Sequence, residues 1–548
     1  MGADTPALRK ARGAFFTPEP IAEYVVKWAV RSSDDVILEP SCGEAAFLLA
    51  AGNRLDDLGL GSGELHGAEL HEQSAETARD RLAARGHQAD IRTGDFFAMT
   101  PTPRFDVVVG NPPYVRYQDF SGVSRVRSRQ AALRAGVALT QLASSWAAFV
   151  VHSALFLRQG GRIGLVVPAE LLSVNYAAPV RQFLMGRFAS VRLVHFLERV
   201  FGSDVQEEVV LLLADGYDPD GPGTDHCELY EAQNAAALSG QLAARKWAPE
   251  TPASKWTDSL VGSTGLTAYQ DVLGSPAFTT LEQWGDTSLG IVTGNNKFFA
   301  LSPARVAELG IPRRDLMRLS PPGSSHLRGM TISTSALTEL GNRGSSVWLF
   351  RPNGAPSEAS AAYIAAGEMA GVDRAYKCRV RSPWWRVPLP AQKRPADLFL
   401  TYMNADTVRL CANTAKAWGL NSIHGVYLRS EYRGLADLLA VASLNSVTML
   451  GAEIVGRAYG GGVLKMEPRE ADAWPMPAPE LVLEHADALT VVRSQLGRVL
   501  RSGQIGEAAK LVDDAFLVRS VGLSRSTVAE VREARQSLSD RRKARGRA

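Results

Sequence analysis

Asp106-Val-Val-Val-Gly-Asn-Pro-Pro-Tyr114 is the stretch on which the fold is decided. Three consecutive valines favour a strand buried on both faces, as in a parallel sheet covered by helices. Gly110 breaks the strand, and Pro112 and Pro113 cannot continue ladder pairing. Asn111 and Tyr114 are thereby left on a stiff loop at the carboxyl end of a strand, where open α/β sheets bind ligands. The bland alternative is a surface turn, since Asn-Pro opens turns commonly. Average residue usage places such a tetrapeptide, with Asp or Ser allowed first and any aromatic last, in about one in fifty chains of this length by accident. The motif therefore depends on its neighbours.

Upstream, three further strand ends carry polar residues. Residues 34–48 read as a strand, a small-residue turn (Glu39-Pro-Ser41-Cys-Gly43-Glu-Ala-Ala) and a helix. This resembles the first βα unit of a nucleotide-binding doubly wound domain without its GxGxxG signature, so dinucleotide binding is a poor reading. The small residues let a ligand approach the backbone, and the helix N-terminus favours a carboxylate. Residues 64–69 form a second strand closed by Glu69, placed to accept from both hydroxyls of a ribose. Residues 89–97 form a third, closed by Asp95 and Phe96; the carboxylate suits an adenine amino group and the ring suits packing on the base. Ahead of them all, residues 13–18 (Gly-Ala-Phe-Phe-Thr17-Pro18) precede a helix with Ile21, Tyr24, Val25 and Trp28 on one face, Thr17 being its expected N-cap and Pro18 a first-turn residue.

Downstream of the motif, Arg116, Tyr117 and the cations Arg125, Arg127, Arg129 and Arg134 read as a basic loop, either a solvated surface or, with about equal weight, a phosphate contact. Residues 135–157 contain no Lys, Arg, Asp or Glu over 23 positions, but Thr140, Gln141, Ser144, Ser145, His152 and Ser153 make a half-buried helix the better reading than a membrane span. Residues 161–168, 191–197 and 208–214 supply more strands, with Phe201 in the turn between the last two. Strands alternating with helices describe an α/β domain over residues 1–248. Residues 249–275, rich in Pro, Ser, Thr and Gly, read as a linker. Residues 276–483 are dense in aromatics and turns. Residues 371–435 hold 11 Lys and Arg against 4 Asp and Glu. Here Lys377, Arg379 and Arg381 precede Trp384 and Trp385, and Arg457 and Lys465 flank a glycine run; cations among aromatics suit a nucleic-acid groove. Residues 484–548 read as helices with a basic tail, Ser524 capping the last.

The whole chain has 548 residues, 45% hydrophobic and 21% charged, with 60 basic against 57 acidic side chains. A net charge of +3 confines any nucleic-acid surface to a local patch. The four cysteines (Cys42, Cys227, Cys378, Cys411) lack metal-site or disulfide spacing, which fits a reducing cytosol and predicts no metal. No signal peptide is evident, so a cytoplasmic, non-membrane protein is expected.

Residues 13–18, Glu39 to Leu48, Glu69, Asp95-Phe96 and Asn111–Tyr114 together resemble the gamma class of adenine-N6 DNA methyltransferases of restriction–modification systems, the TaqI-type group. Residues 290–299, 377–386, 421–427 and 456–468 resemble the target-recognition domain of that group. Ala45 departs from the pattern, since many relatives have a second glycine there. The resemblance implies an α/β fold, Rossmann-like and S-adenosylmethionine-dependent, followed by a mixed α+β target-recognition domain and a helical C-terminal segment. It implies that Thr17, Pro18, Glu39, Ser41, Gly43, Glu69, Asp95 and Phe96 hold S-adenosylmethionine. It implies that Asn111 and the Pro112 carbonyl, on a loop stiffened by Pro113, accept from the adenine amine, with Tyr114 and Phe201 stacking on the flipped base. Arg116, Tyr117, Lys377, Arg379, Arg381, Trp384, Trp385, Arg457 and Lys465 are the expected DNA contacts. Double-stranded DNA is the expected partner, a monomer the expected state, and any cognate restriction endonuclease a separate chain. Rival readings are the same chemistry on RNA or a protein glutamine, and a DNA-binding specificity subunit with a vestigial catalytic half.

Overall fold

The computed structural model describes residues 17–115, 118–119, 122–201 and 208–544. They form two compact units, one ending at Leu260 and one beginning at Val261. Residues 13–16, Arg116, Tyr117 and the tail beyond Ala544 lie outside the described residues.

In the first unit, α1 (Glu19–Ala29) precedes β1 (Val36–Glu39), α2 (Ala46–Leu58), β2 (Glu64–Glu69), α3 (Glu72–Ala83), β3 (Ala89–Thr93) and β4 (Phe105–Gly110). Then come α4 (Gly122–Arg134), α5 (Ser145–Ala154), β5 (Leu157–Pro168), α6 (Ala178–Arg187), β6 (Phe188–Phe196), β7 (Val209–Tyr217), β8 (Cys227–Ala232) and β9 (Arg245–Trp247). The strands make one nine-stranded sheet in the order β3-β2-β1-β4-β5-β7-β6-β8-β9. Strands β1 to β5 run parallel, and β7 lies antiparallel between β5 and β6. All six residues of β4 are buried, as a valine run covered on both faces requires. The chain leaves β1 for β2 on one side and returns to β4 on the other, so the carboxyl ends of β1 and β4 flank a topological switch point. Helix α1 buries Ile21, Val25 and Val26 at no more than 1% exposure, each worth at most about 1.5–3 kcal/mol. Gly164 on β5 permits the close approach: a Cβ there would stand 2.6 Å from Val25.

Several expectations are corrected. Thr17 does not cap α1, whose N-cap is Pro18; the Pro18 carbonyl accepts from Ile21 and Ala22. The expected basic loop after the motif is the helix α4, in which Ser128, Ala131 and Ala132 are buried while the arginines stand outward. Arginine, glutamine and alanine are good helix formers, and that outweighs their mutual charge. Helix α5 is buried at all ten positions rather than on one face.

The division after Leu260 falls inside residues 249–275, the expected linker, and that stretch is folded. Trp256, in the first unit, is fully buried, and α7 (Ser263–Leu273) is a regular helix. Gly265 of α7 lies so near α11 (Arg525–Ala544) that a Cβ would meet that of Ala534 at 2.7 Å. Between them, β10 (Gly285–Leu289), β11 (Thr331–Ile332), β12 (Leu398–Thr401), β13 (Leu410–Asn413) and β14 (Ile423–Leu428) form a mixed sheet in the order β10-β14-β12-β13-β11. Helices α8 (Ser446–Val455), α9 (Ala486–Arg501) and α10 (Ile505–Val512) complete the core ahead of α11. Ser524 accepts from the Thr527 N–H at 3.0 Å at the start of α11. The basic tail is not a free end as far as it is described. Arg542 is 2% exposed and pairs through two bonds with Glu453 of α8, at 2.8 and 2.9 Å. It also donates to the carbonyls of Asp406 and Gly462. No single described helix is long and apolar enough to cross a membrane.

Candidate active site

The carboxyl ends of β1, β2, β3 and β4 open on one cavity of about 380 Å³. Thr17, Glu39, Ser41, Gly43, Glu69, Asp95, Phe96, Asn111 and Pro113 all line it. Four strand ends remote in sequence thus converge as a doubly wound sheet demands.

The turn after β1 is left-handed at two positions, Gly43 with φ +50° and Ala45 with φ +66°. The position at which many relatives have glycine is therefore one that an L side chain occupies at a cost of about 1–2 kcal/mol. Gly43 donates its N–H to Glu69 Oε2 at 2.8 Å, and a Cβ on Gly43 would meet nothing within 4 Å. The backbone is thus open on its cavity side, as a close-lying ligand needs. Glu69 takes a second N–H, from His71, on Oε1 at 2.9 Å. An ionised carboxylate has about four acceptor positions, so two remain for hydroxyl donors.

Glu39 does a different task. Its Oε2 accepts from the Leu48 N–H at 3.1 Å in the first turn of α2, and the carboxyl is 2% exposed. Burial pushes its pKa well above the usual carboxylate range; the Leu48 and Phe47 N–H groups oppose that rise and the Glu69 charge adds to it. Because folding raises this pKa, its contribution is fully present below the unfolded value, near 4.5, and is lost as pH rises through the folded one. Glu39→Gln keeps an acceptor for Leu48 without a charge. The variant is expected to gain stability relative to the wild type as pH rises above about 4.5, where only the wild type loses its contribution from this carboxyl; melting experiments over a pH series measure it, and a difference in Tm that does not change with pH would contradict it. Cys42, between these carboxylates, is held as a thiol, because burial and the charges of Glu39 and Glu69 raise its pKa.

Asp95 accepts from the Phe97 N–H at 3.0 Å, and Arg127 of α4 pairs with its other oxygen at 3.2 Å. Sequence reasoning did not foresee Arg127 here, because the residues around it resembled a solvated basic run. Phe96 reaches the cavity wall, but its ring stacks on Phe149 and Phe156 at 5.6 and 5.1 Å. It supplies an apolar wall rather than a free stacking face.

In the Asn111–Tyr114 motif, Asn111 Nδ2 donates to Thr17 Oγ1 at 3.1 Å, and Asn111 Oδ1 accepts from the Tyr114 hydroxyl. The Tyr114 oxygen also lies 3.0 Å from the Val166 carbonyl. Its ring is 7% exposed. Tyr114 is thus folded inward against the amide beside it. No described residue donates to the Pro112 carbonyl. Pro18, Pro112, Tyr114 and Phe201 do not line the cavity. Phe201 is 8% exposed.

In the second unit, several expected DNA contacts serve the fold. Arg381 donates to the carbonyls of Val292 and Thr293 at 2.6 and 2.8 Å. Trp384 donates to Glu368 and lies 5.4 Å from Phe298, and Trp385 packs on the same aromatic core with Arg386 over its ring. Arg457 pairs with Glu470, and Lys465 with Glu467 at 2.8 Å over the Tyr402 ring. Lys377 and Arg379 are exposed. A separate groove, missed in the sequence, brings together Arg328, Arg493 and Arg501 with Thr331, Thr490 and Ser494. Only Arg493 of these cations has an acidic partner, Asp437, among the described residues.

Residues 2–239 match the N-6 DNA Methylase family, and residues 253–517 match the C-terminal domain of Type II methyltransferase M.Eco57I. Type II methyltransferase M.AccI of Acinetobacter calcoaceticus is 22% identical over 473 residues, 84% of each chain. M.XamI of Xanthomonas campestris pv. amaranthicola is 24% identical over 503 residues, 85% of each chain. Among solved structures, the Type IIL restriction-modification enzyme MmeI in complex with DNA is similar with a TM-score of 0.58 at 12% identity, covering 95% of this chain and 75% of that one. That likeness concerns the fold. One family match ends at residue 239 and the other begins at residue 253, and together they leave little of the chain unclaimed: it belongs to the N6-adenine DNA methyltransferases of restriction–modification systems.

Proposed function

We propose that the first unit methylates the exocyclic N6 of an adenine flipped out of double-stranded DNA, with Asn111 and the Pro112 carbonyl as the acceptors for its amine. The observation that carries this reading is that one cavity is lined both by Glu39, Gly43, Glu69 and Asp95 and by Asn111 and Pro113. The residues present suit S-adenosylmethionine: carboxylates for a ribose diol and an amine, glycine backbone with open space beside it, and a negative surround for a sulfonium. When bound, it supplies an electrophilic methyl group. Glu69 accepts from the ribose, Asp95 from the adenine of the cofactor, and Thr17 orients the Asn111 amide.

The adenine amine is a poor nucleophile because its lone pair is delocalised into the ring. Two acceptors on its hydrogens draw it toward tetrahedral geometry and free that pair, a positioning and electrostatic effect needing no general base. An amine donating to Asn111 Oδ1 replaces the Tyr114 hydroxyl there, and Tyr114 is then released to stack on the base. Lys377 and Arg379, and Arg328 and Arg501 in the groove, are exposed cations of the second unit suited to backbone phosphate.

Gly43→Ala is expected to weaken cofactor binding at least tenfold and to cost about 1 kcal/mol of stability at a left-handed position; isothermal titration with S-adenosylmethionine and thermal melting measure both. The function itself is tested by incubating the protein with labelled cofactor and unmodified plasmid and mapping the label. Label at N6 of adenine in one short motif supports the reading. Label only in RNA or protein, or tight DNA binding without label in any acceptor, overturns it.

A further inference from the structure

Ser145 is the first residue of α5 and is 2% exposed. Its hydroxyl is not spent on its own helix. It accepts from the Val115 N–H at 2.9 Å and donates to the Pro113 carbonyl, while the Ser145 N–H donates to the Val115 carbonyl at 3.0 Å. One side chain and its own backbone thus hold both residues that flank Tyr114. Ser145 also lines the cavity beside Asn111, Pro113 and Val115.

We infer that Ser145 is a positioning residue for the catalytic loop, resting on the function proposed above. The physical need is specific. Pro112 and Pro113 fix φ but contribute no N–H, so the loop has few donors of its own with which to be anchored. The stiffness of two prolines is useful only if the segment is also fixed in space, since a rigid loop can still swing about its ends. Ser145 supplies that anchor from a rigid body, a helix buried at all ten positions. The clamp lies immediately after the Pro112–Pro113 peptide, so it fixes the direction in which the Pro112 carbonyl points. A displacement of about 1 Å in such a group costs about a hundredfold in rate. Tyr114, between the two clamped residues, can turn its side chain without moving the backbone on either side.

The test uses the full chain, unmodified plasmid and labelled S-adenosylmethionine. Ser145→Ala is expected to lower kcat by about 10–100-fold while leaving cofactor affinity within about twofold. Ser145→Thr and Ser145→Val have the same shape, and only the first keeps the hydroxyl. The Thr variant is expected to transfer at least tenfold faster than the Val variant at similar Tm. Equal rates for Thr and Val, a wild-type rate for Ala, or a loss in Ala that only follows lost cofactor binding would each overturn the assignment. A wild type that labels no DNA would instead remove the proposed function.

Discussion

Asn111→Ala is expected to lower kcat for methyl transfer by at least about 10²–10³-fold, the cost of removing one preorganised polar partner of a transition state. Cofactor affinity should change little, because Asn111 meets Thr17 and Tyr114 rather than the carboxylates at the far strand ends. DNA affinity should also persist, since phosphate contacts dominate it. Asn111→Asp keeps an acceptor in place of the amide oxygen, and the Thr17 hydroxyl can turn to donate to it. The expected order of rates is therefore Asn, then Asp, then Ala. Single-turnover labelling of plasmid DNA measures the order directly; an Ala variant within tenfold of the wild type would exclude Asn111 as the acceptor.

The largest stability effect is expected in the second unit. Arg542 and Glu453 are 3% and 4% exposed at their side chains and joined at 2.8 Å. Removing the arginine leaves a buried carboxylate without its partner and strips donors from the Asp406 and Gly462 carbonyls. Arg542→Ala is expected to destabilise the second unit by about 3–5 kcal/mol, a fall in Tm on the order of 10 °C. Replacing both partners by methionine should recover most of the loss, since an apolar pair of similar volume carries no desolvation cost. Calorimetry on the single and double variants separates the two results. If the single variant melts with the wild type, the pair contributes nothing to the fold.

The strands around the site were legible because their composition is local information. Val107 to Val109 show their burial in their own residue types. The polar residues at their ends were legible for the same reason, since a strand end is where side chains become free. Partners distant in sequence were not legible. Arg381 looked like a nucleic-acid contact because its neighbours are cations and indoles, yet its acceptors are the Val292 and Thr293 carbonyls. Arg127 and Ser145 were hidden by the same ambiguity, one within a charged run and one within a mostly apolar stretch. Residues 249–275 were half legible: Ser, Thr and Gly mark a linker and the division between the units falls there, but Gly265 also lets two helices touch. Thr17 illustrates a subtler limit. A threonine before a proline suits an N-cap, and only the folded chain reveals that a residue 94 positions on takes its hydroxyl.

The convergence of four strand ends has a consequence for how the enzyme is made. Parallel neighbours cannot pair until the intervening helix is in place, so their contacts are non-local and form slowly. No portion of the first unit that stops short of β4 contains the cavity. On the function proposed above, cofactor affinity is thus a property of the assembled sheet alone. A ligand that binds only the folded state stabilises it by about 2.7 kcal/mol at a hundredfold excess over its Kd. The supply of methyl donor is then expected to govern the half-life of newly made protein as well as its turnover. A cell short of that donor would then methylate its DNA less on two counts, through slow transfer and through a dwindling stock of enzyme.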